Sequence, residues 1–169
     1  MYAIAHGNVT CTGLLLEAGA NVNHADGQGF TALLDASISG QIDCASLLLE
    51  AGANVNHTDG HGRTALMWAS AAGHAECVCL LLEAGANVNH ADAVGITALM
   101  RASMGGHAEC ARFLLEAGAD VLATHTEGFT ILFFGGAQLE VRLRALGSRG
   151  ARAARSRQGG GSARAATHA

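Results

Sequence analysis

Apolar triplets closed by an acid recur along this chain as Leu14-Leu15-Leu16-Glu17, Leu47-Leu48-Leu49-Glu50 and Leu80-Leu81-Leu82-Glu83, with a variant at Phe113-Leu114-Leu115-Glu116. Glu17, Glu50, Glu83 and Glu116 stand 33 residues apart, and Thr31, Thr64, Thr97 and Thr130 keep the same interval. Within one period the pattern predicts two short helices and a turn. Thr64 is placed to N-cap a first helix through Ala65-Leu66-Met67-Trp68-Ala69, because its hydroxyl can accept from a free amide of the first turn. Gly73 is expected to end that helix. A second helix follows from Glu76 through Leu82 until Gly85, where a residue tolerant of positive φ lets the chain leave. Asp26-Gly27-Gln28-Gly29 and Asp59-Gly60-His61-Gly62 have the residue types of tight turns. Helices this short, about ten residues each, cannot bury their apolar faces alone, so successive units must stack and share one core.

A 33-residue period is the length of an ankyrin unit. Each Thr opens a Thr-Ala-Leu run, Thr-Ile-Leu in the last unit, where ankyrin repeats carry Thr-Pro-Leu-His. Gly73-His74, Gly106-His107, the apolar triplets before Glu-Ala-Gly-Ala and the Val-Asn steps after them are further matches. The sequence resembles an ankyrin-repeat protein over roughly residues 1–147. The resemblance implies an all-α solenoid of helix-turn-helix units with projecting β-hairpin loops. It divides the chain into a truncated first unit, about 1–20, full units at about 21–53, 54–86 and 87–119, and a degenerate C-terminal unit at about 120–147. Two departures stand out: Leu34, Met67, Met100 and Phe133 occupy the family's His position, and the chain has no Pro.

Charge sets the last segment apart. Residues 1–141 carry 14 acids against Arg63, Arg101 and Arg112, a net of −11, whereas residues 142–169 carry seven Arg and no acid, a net of +7. From Ser148 onward the chain is rich in Arg, Gly and Ala without helical apolar spacing, which predicts a disordered tail over 148–169. Attachment to nucleic acid or an acidic surface is conceivable only through that tail. It lacks interleaved aromatics for base stacking. No apolar run approaches the ~18 residues of a membrane span, and no signal peptide is recognisable, so the expectation is a cytoplasmic or nuclear protein without membrane contact. Cys11, Cys44, Cys77 and Cys110 share the 33-residue spacing. Packed helices lie about 8–10 Å apart, too far for disulfides between equivalent positions, so these thiols are expected to be buried and free. Cys79, off that row, is expected to be the reactive thiol.

Candidate chemistry is sparse. The chain has no Lys and none of the glycine-rich, zincin or nucleophile-elbow motifs, and a short solenoid offers an open groove rather than a closed pocket. His24, His57 and His90 form another 33-spaced row, each two residues before Asp26, Asp59 or Asp92. Zinc ligands must converge on one ion, and residues of successive units do not, so the histidines are read as loop residues bonding backbone groups. The expectation is a protein without catalytic residues, metal, cofactor or small-molecule substrate.

An array that repeats its scaffold can specialise only where it varies. At the finger tips the equivalents are Gln28, His61 and Val94, followed by Phe30, Arg63 and Ile96; on the open side of the first helices they are Asp35, Trp68 and Arg101. In the family these positions line the concave partner-binding face, and Trp and Arg dominate interface energetics. The reading is a protein-binding module whose partner the sequence does not name. Trp68 between Arg63 and Arg101 suits a partner offering an apolar side chain with a carboxylate nearby. The resemblance also implies Asn23, Asn56 and Asn89, in the Val-Asn steps, as sites for an asparagine hydroxylase.

Overall fold

The computed structural model describes residues 7–126 of the 169-residue chain. The sequence-based readings of residues 1–6, of the degenerate unit beyond Thr126 and of the Arg-rich tail lie outside the described residues.

Seven helices are present there: α1 (Val9–Glu17), α2 (Ala32–Ile38), α3 (Ile42–Glu50), α4 (Ala65–Ala72), α5 (Ala75–Glu83), α6 (Ala98–Met104) and α7 (Ala108–Glu116). The first helices begin where the Thr row predicts. Thr31, Thr64 and Thr97 have extended backbones, and their hydroxyls accept from the amides of Leu34, Met67 and Met100 at 3.5, 3.4 and 3.4 Å. α1 is capped by Asn8, whose Oδ1 accepts from the Cys11 amide, but the later second helices start without a side-chain cap, α3 at Gln41 and α5 and α7 at His74 and His107. Their imidazoles reach into the preceding unit instead: His74 Nε2 lies 3.1 Å from the Ile38 carbonyl, and His107 Nε2 lies 3.0 Å from that of Ala71. Gly73, which caps α4 with φ +82°, lies directly under His107. A Cβ there would come within 2.5 Å of the imidazole Nδ1, so both its backbone angle and its neighbour demand glycine.

Two layers result. α2, α4 and α6 pack side by side in one, α1, α3, α5 and α7 in the other, and each first helix packs on the second helix of its own unit. Between the layers lies a core that is itself periodic: Leu33, Leu66 and Leu99; Leu34, Met67 and Met100; Cys44, Cys77 and Cys110; Leu48, Leu81 and Leu114. Leu34, Met67 and Met100, at the family's His position, therefore become core. Burial pushes the Cys77 thiol up, and that of Cys110 up to about 11.

The first unit breaks the rule. Leu15 is 52% exposed where its equivalent Leu48 is 2% exposed, and Cys11 is exposed although the spacing predicted burial. Among the described residues α1 packs chiefly on α3. Cys79 is also corrected. It is only partly exposed and donates to Glu83 Oε1 at 3.6 Å, and its pKa is raised, by desolvation first and then by that carboxylate.

The loops between helix pairs are fingers closed by one antiparallel bridge each, Ala25 with Thr31, Thr58 with Thr64 and Ala91 with Thr97; no longer strand forms among the described residues. Adjacent fingers are joined by backbone bonds. The Gly60 amide donates to Gln28 O at 2.9 Å, that of Ala93 to His61 O at 3.2 Å and that of Thr126 to Val94 O at 3.1 Å. Gly29, at φ +83°, permits the close approach, since a Cβ would lie 3.0 Å from the Gly60 nitrogen.

Replacing the fully buried Leu81 by Ala should destabilise the array by about 2–5 kcal/mol, whereas Leu15→Ala should cost less than about 1 kcal/mol; urea unfolding followed by circular dichroism measures both. In a timed thiol titration of the native protein, Cys11 should react first and Cys79 second, with Cys44, Cys77 and Cys110 reacting only on unfolding.

Candidate partner-binding face

The variable positions meet around a repeated aspartate. In each finger that carboxylate folds the loop: Asp26 Oδ1 accepts the amides of Gln28 and Phe30, Asp59 Oδ1 those of His61 and Arg63, and Asp92 Oδ1 those of Val94 and Ile96, at 2.8–3.1 Å. The second oxygen faces the first helix, and what it meets differs. Asp59 Oδ2 accepts from Arg63 Nε at 2.8 Å and from the Trp68 indole N–H at 3.2 Å. Asp92 Oδ2 accepts from Arg101 Nη2 at 2.7 Å. Asp26 Oδ2 accepts from no described side chain, because the equivalent of Trp68 and Arg101 is Asp35, another acid.

Asp59 is only 4% exposed. Burial by itself would raise its pKa, but hydrogen bonds from the backbone amides of Arg63 and His61 and from the side chains of Arg63 and Trp68 outweigh it and hold the carboxyl below its ordinary value. For Asp35 the balance goes the other way. Desolvation raises its pKa, partly offset by the chain's N-terminal ammonium, and the Asp26 carboxylate adds to the rise.

Around Asp59 the side chains form a cross-repeat cluster. The Arg63 guanidinium lies 4.2 Å from the Trp68 ring centroid, and Phe30 of the preceding finger lies 5.9 Å from it, tilted by 45°. Phe30, Arg63 and Trp68 are each half-buried, while Gln28, His61 and Val94 stand exposed at the tips. The structure thus joins Phe30, Arg63 and Trp68 and places Arg101 at the matching position of the next unit. Two sequence-based assignments change. Ile96 is buried, its amide held by Asp92 in a finger that turns Val94 outward instead, so it is not open surface. Arg63 and Arg101 are not free guanidinium groups, since each is already paired with the aspartate of its own finger. Sequence reasoning saw Asp59 and Asp92 as turn residues and missed this role. The available signal was a hydrogen-bond donor nine residues after each, at Trp68 and Arg101.

The face thus combines a constant scaffold with a varying lining. No group of three or more His, Cys, Asp or Glu side chains among the described residues is placed to hold a metal ion, and no described helix is long and apolar enough to cross a membrane. His57 and His90 instead place Nε2 at 3.0 and 2.9 Å from the carbonyls of Gly29 and Gly62 in the preceding finger. The Asn row works in the same direction. Asn23, Asn56 and Asn89 each accept from an amide of the next unit, that of Asn54, Asn87 or Asp120, and donate Nδ2 to the carbonyl of Gly52, Gly85 or Gly118. These asparagines are exposed as residues, yet both ends of each amide are engaged, Oδ1 across the unit boundary and Nδ2 at the end of its own unit.

A family model described as ankyrin repeats, in three copies, matches residues 1–59 and 54–125. The chain belongs to the ankyrin-repeat family. No curated protein matches it. Within this ankyrin array the repeated residues make the boundary bonds, while the finger tips and first helices differ between units, as does the second-helix row Ser46, Cys79 and Arg112.

Asp59→Asn keeps an acceptor for the backbone amides but loses the charge facing Arg63, and should cost about 1–3 kcal/mol at neutral pH. Because the folded carboxyl ionises more readily than an unfolded one, whose pKa is about 3.9, its contribution is complete above that value and is lost as pH falls through the depressed folded value. Chemical unfolding across pH should therefore show wild type and Asp59→Asn converging in strongly acidic solution.

Proposed function

We propose that this ankyrin-repeat chain is a non-enzymatic protein-interaction module that grips its partner along the finger tips and the open side of the first helices. Ankyrin repeats generally mediate protein–protein interaction. The observation that carries the reading here is the contrast between rows: the Thr, Cys and Leu rows keep the same residue at each described unit's buried position, whereas one half-exposed row on the first helices runs Asp35, Trp68, Arg101. A side chain needed only for stacking would be under the same constraint in each unit. Asp35, Trp68 and Arg101 differ in charge, size and shape, as a surface fitted to one particular ligand would.

Trp68 lies at the centre of that row and has the residue type most enriched where interfaces derive their affinity. Because its indole also donates to Asp59, binding and stability must be read separately. Once a partner has been captured with the full chain, Trp68→Ala should weaken its binding by about 2 kcal/mol or more in a calorimetric titration. Trp68→Phe, which keeps a ring but not the N–H, should retain most of the affinity while losing about 1 kcal/mol of stability. Unchanged affinity in Trp68→Ala beside a large fall in melting temperature would make Trp68 packing only, and the proposed face wrong.

A further inference from the structure

Trp68 is held from more than one direction. Its indole N–H donates to Asp59 Oδ2 at 3.2 Å, the Arg63 guanidinium lies over its ring at 4.2 Å from the centroid, and Phe30 of the preceding finger lies 5.9 Å away. The first two of these contacts return to one carboxylate. The oxygen that accepts the indole also accepts Arg63 Nε at 2.8 Å, and its twin accepts the Arg63 backbone amide at 3.0 Å, so Arg63 is clamped at both ends. Asp59 has little freedom of its own, because its amide donates to the Arg63 carbonyl and its carbonyl accepts from Gly62 inside the finger. The other fingers are less complete. Asp92 Oδ2 accepts from Arg101 Nη2, while the buried Arg101 Nε has no hydrogen-bond partner among the described residues. The Asp26 carboxylate accepts there only from the amides of Gln28 and Phe30.

We propose that Asp59 is the positioning residue of the partner-binding face: without touching the partner, it fixes Trp68 and Arg63 in place before any contact is made. The Asp59 side chain is 0% exposed, whereas Trp68 and Arg63 are half-buried and turn their remaining surface outward. A long side chain that a partner must immobilise weakens association by the rotamer freedom it loses. Here that freedom is lost during folding instead. The carboxylate suits the task because the indole and Nε are both donors, and an anionic oxygen has lone pairs for both. The inference rests on the reading that this face binds protein, and it assigns control of that face to a residue beneath it.

Trp68 is the chain's single tryptophan, so its spectra report on the cluster without a partner. The test is Asp59→Asn in the full chain. An amide has one oxygen, and while that oxygen serves the amides of His61 and Arg63, an NH2 group faces the indole and Nε, where donor meets donor. The expected result is loss of most of the Trp68 near-ultraviolet circular dichroism, lower emission anisotropy and faster quenching by acrylamide, with far-ultraviolet helicity unchanged. Leu114→Val, which weakens the core of the next unit, should leave these signals as in wild type. Arg63→Met, which keeps the carboxylate and its indole bond, should retain most of them. Unchanged signals in Asp59→Asn, or an equal change in Leu114→Val, overturns the proposal. Arg63→Met decides the matter even should Asp59→Asn fail to fold, since a loose indole beside an intact Asp59 also overturns it. Against the captured partner used for Trp68→Ala, Asp59→Asn should weaken binding about tenfold, because the partner then has two side chains to order. Full affinity in Asp59→Asn with Trp68 released refutes the positioning role. Full affinity in Trp68→Ala sinks the proposed face as well, whereas unchanged Trp68 signals in Asp59→Asn sink this inference alone.

Discussion

No unit of this chain can bury its own apolar face, and the structure follows from that constraint. The buried rows, Leu33 with Leu66 and Leu99 or Leu48 with Leu81 and Leu114, are side chains that exclude water only because the next unit offers the same side chain one step along. At α1 the equivalent positions Cys11 and Leu15 are exposed instead. Stacking also explains why so many polar residues are constant. His57, His74, His90 and His107 and the Asn row reach across boundaries to backbone carbonyls and amides, satisfying groups at unit edges that burial would otherwise leave costly.

Against that constant background one carboxylate per finger does two things. Its first oxygen folds the finger in the same way in all three described units, and its second is answered by whatever the first helix presents nine residues later. Local folding and surface character are therefore coupled through a single side chain. An indole gives a compact aromatic cluster with Arg63, a guanidinium gives a closed ion pair, and in the first unit the carboxylate of Asp35 takes that position. The repeats can differ in what they present without differing in how they fold.

Much of the architecture was legible from spacing, because stacking turns a periodic sequence into periodic contacts. Thr64 as a helix cap, Gly73 as a stop and the 33-residue rows of Leu and Cys each rest on one local rule, and the structure shows the same cap, stop and buried rows. The candidate face was legible only as a set of varying positions. Spacing shows that Arg63 and Arg101 vary but not that each turns back onto its finger's aspartate, since that depends on side-chain direction within a loop. Ile96 misled for the same reason: it shares a register position with half-exposed Phe30 and Arg63, yet its finger tucks it inside. Cys11 misled because equal spacing does not guarantee equal burial in every unit.

The uniform bonding at the boundaries has a cost for assembly. Asn23 meets the unit after it through the same Oδ1 bond by which Asn56 meets its own successor, and the His and finger contacts are likewise interchangeable. Little at an interface identifies which neighbour is the correct one. During folding, a unit that docks on a partner one place out of order, or on the corresponding unit of another molecule, would form nearly the full set of native bonds before any mismatch is felt. The side chains that do differ, Asp35, Trp68 and Arg101, are then what distinguishes correct from shifted order, so a surface diversified for recognition would also help the chain to count its own units.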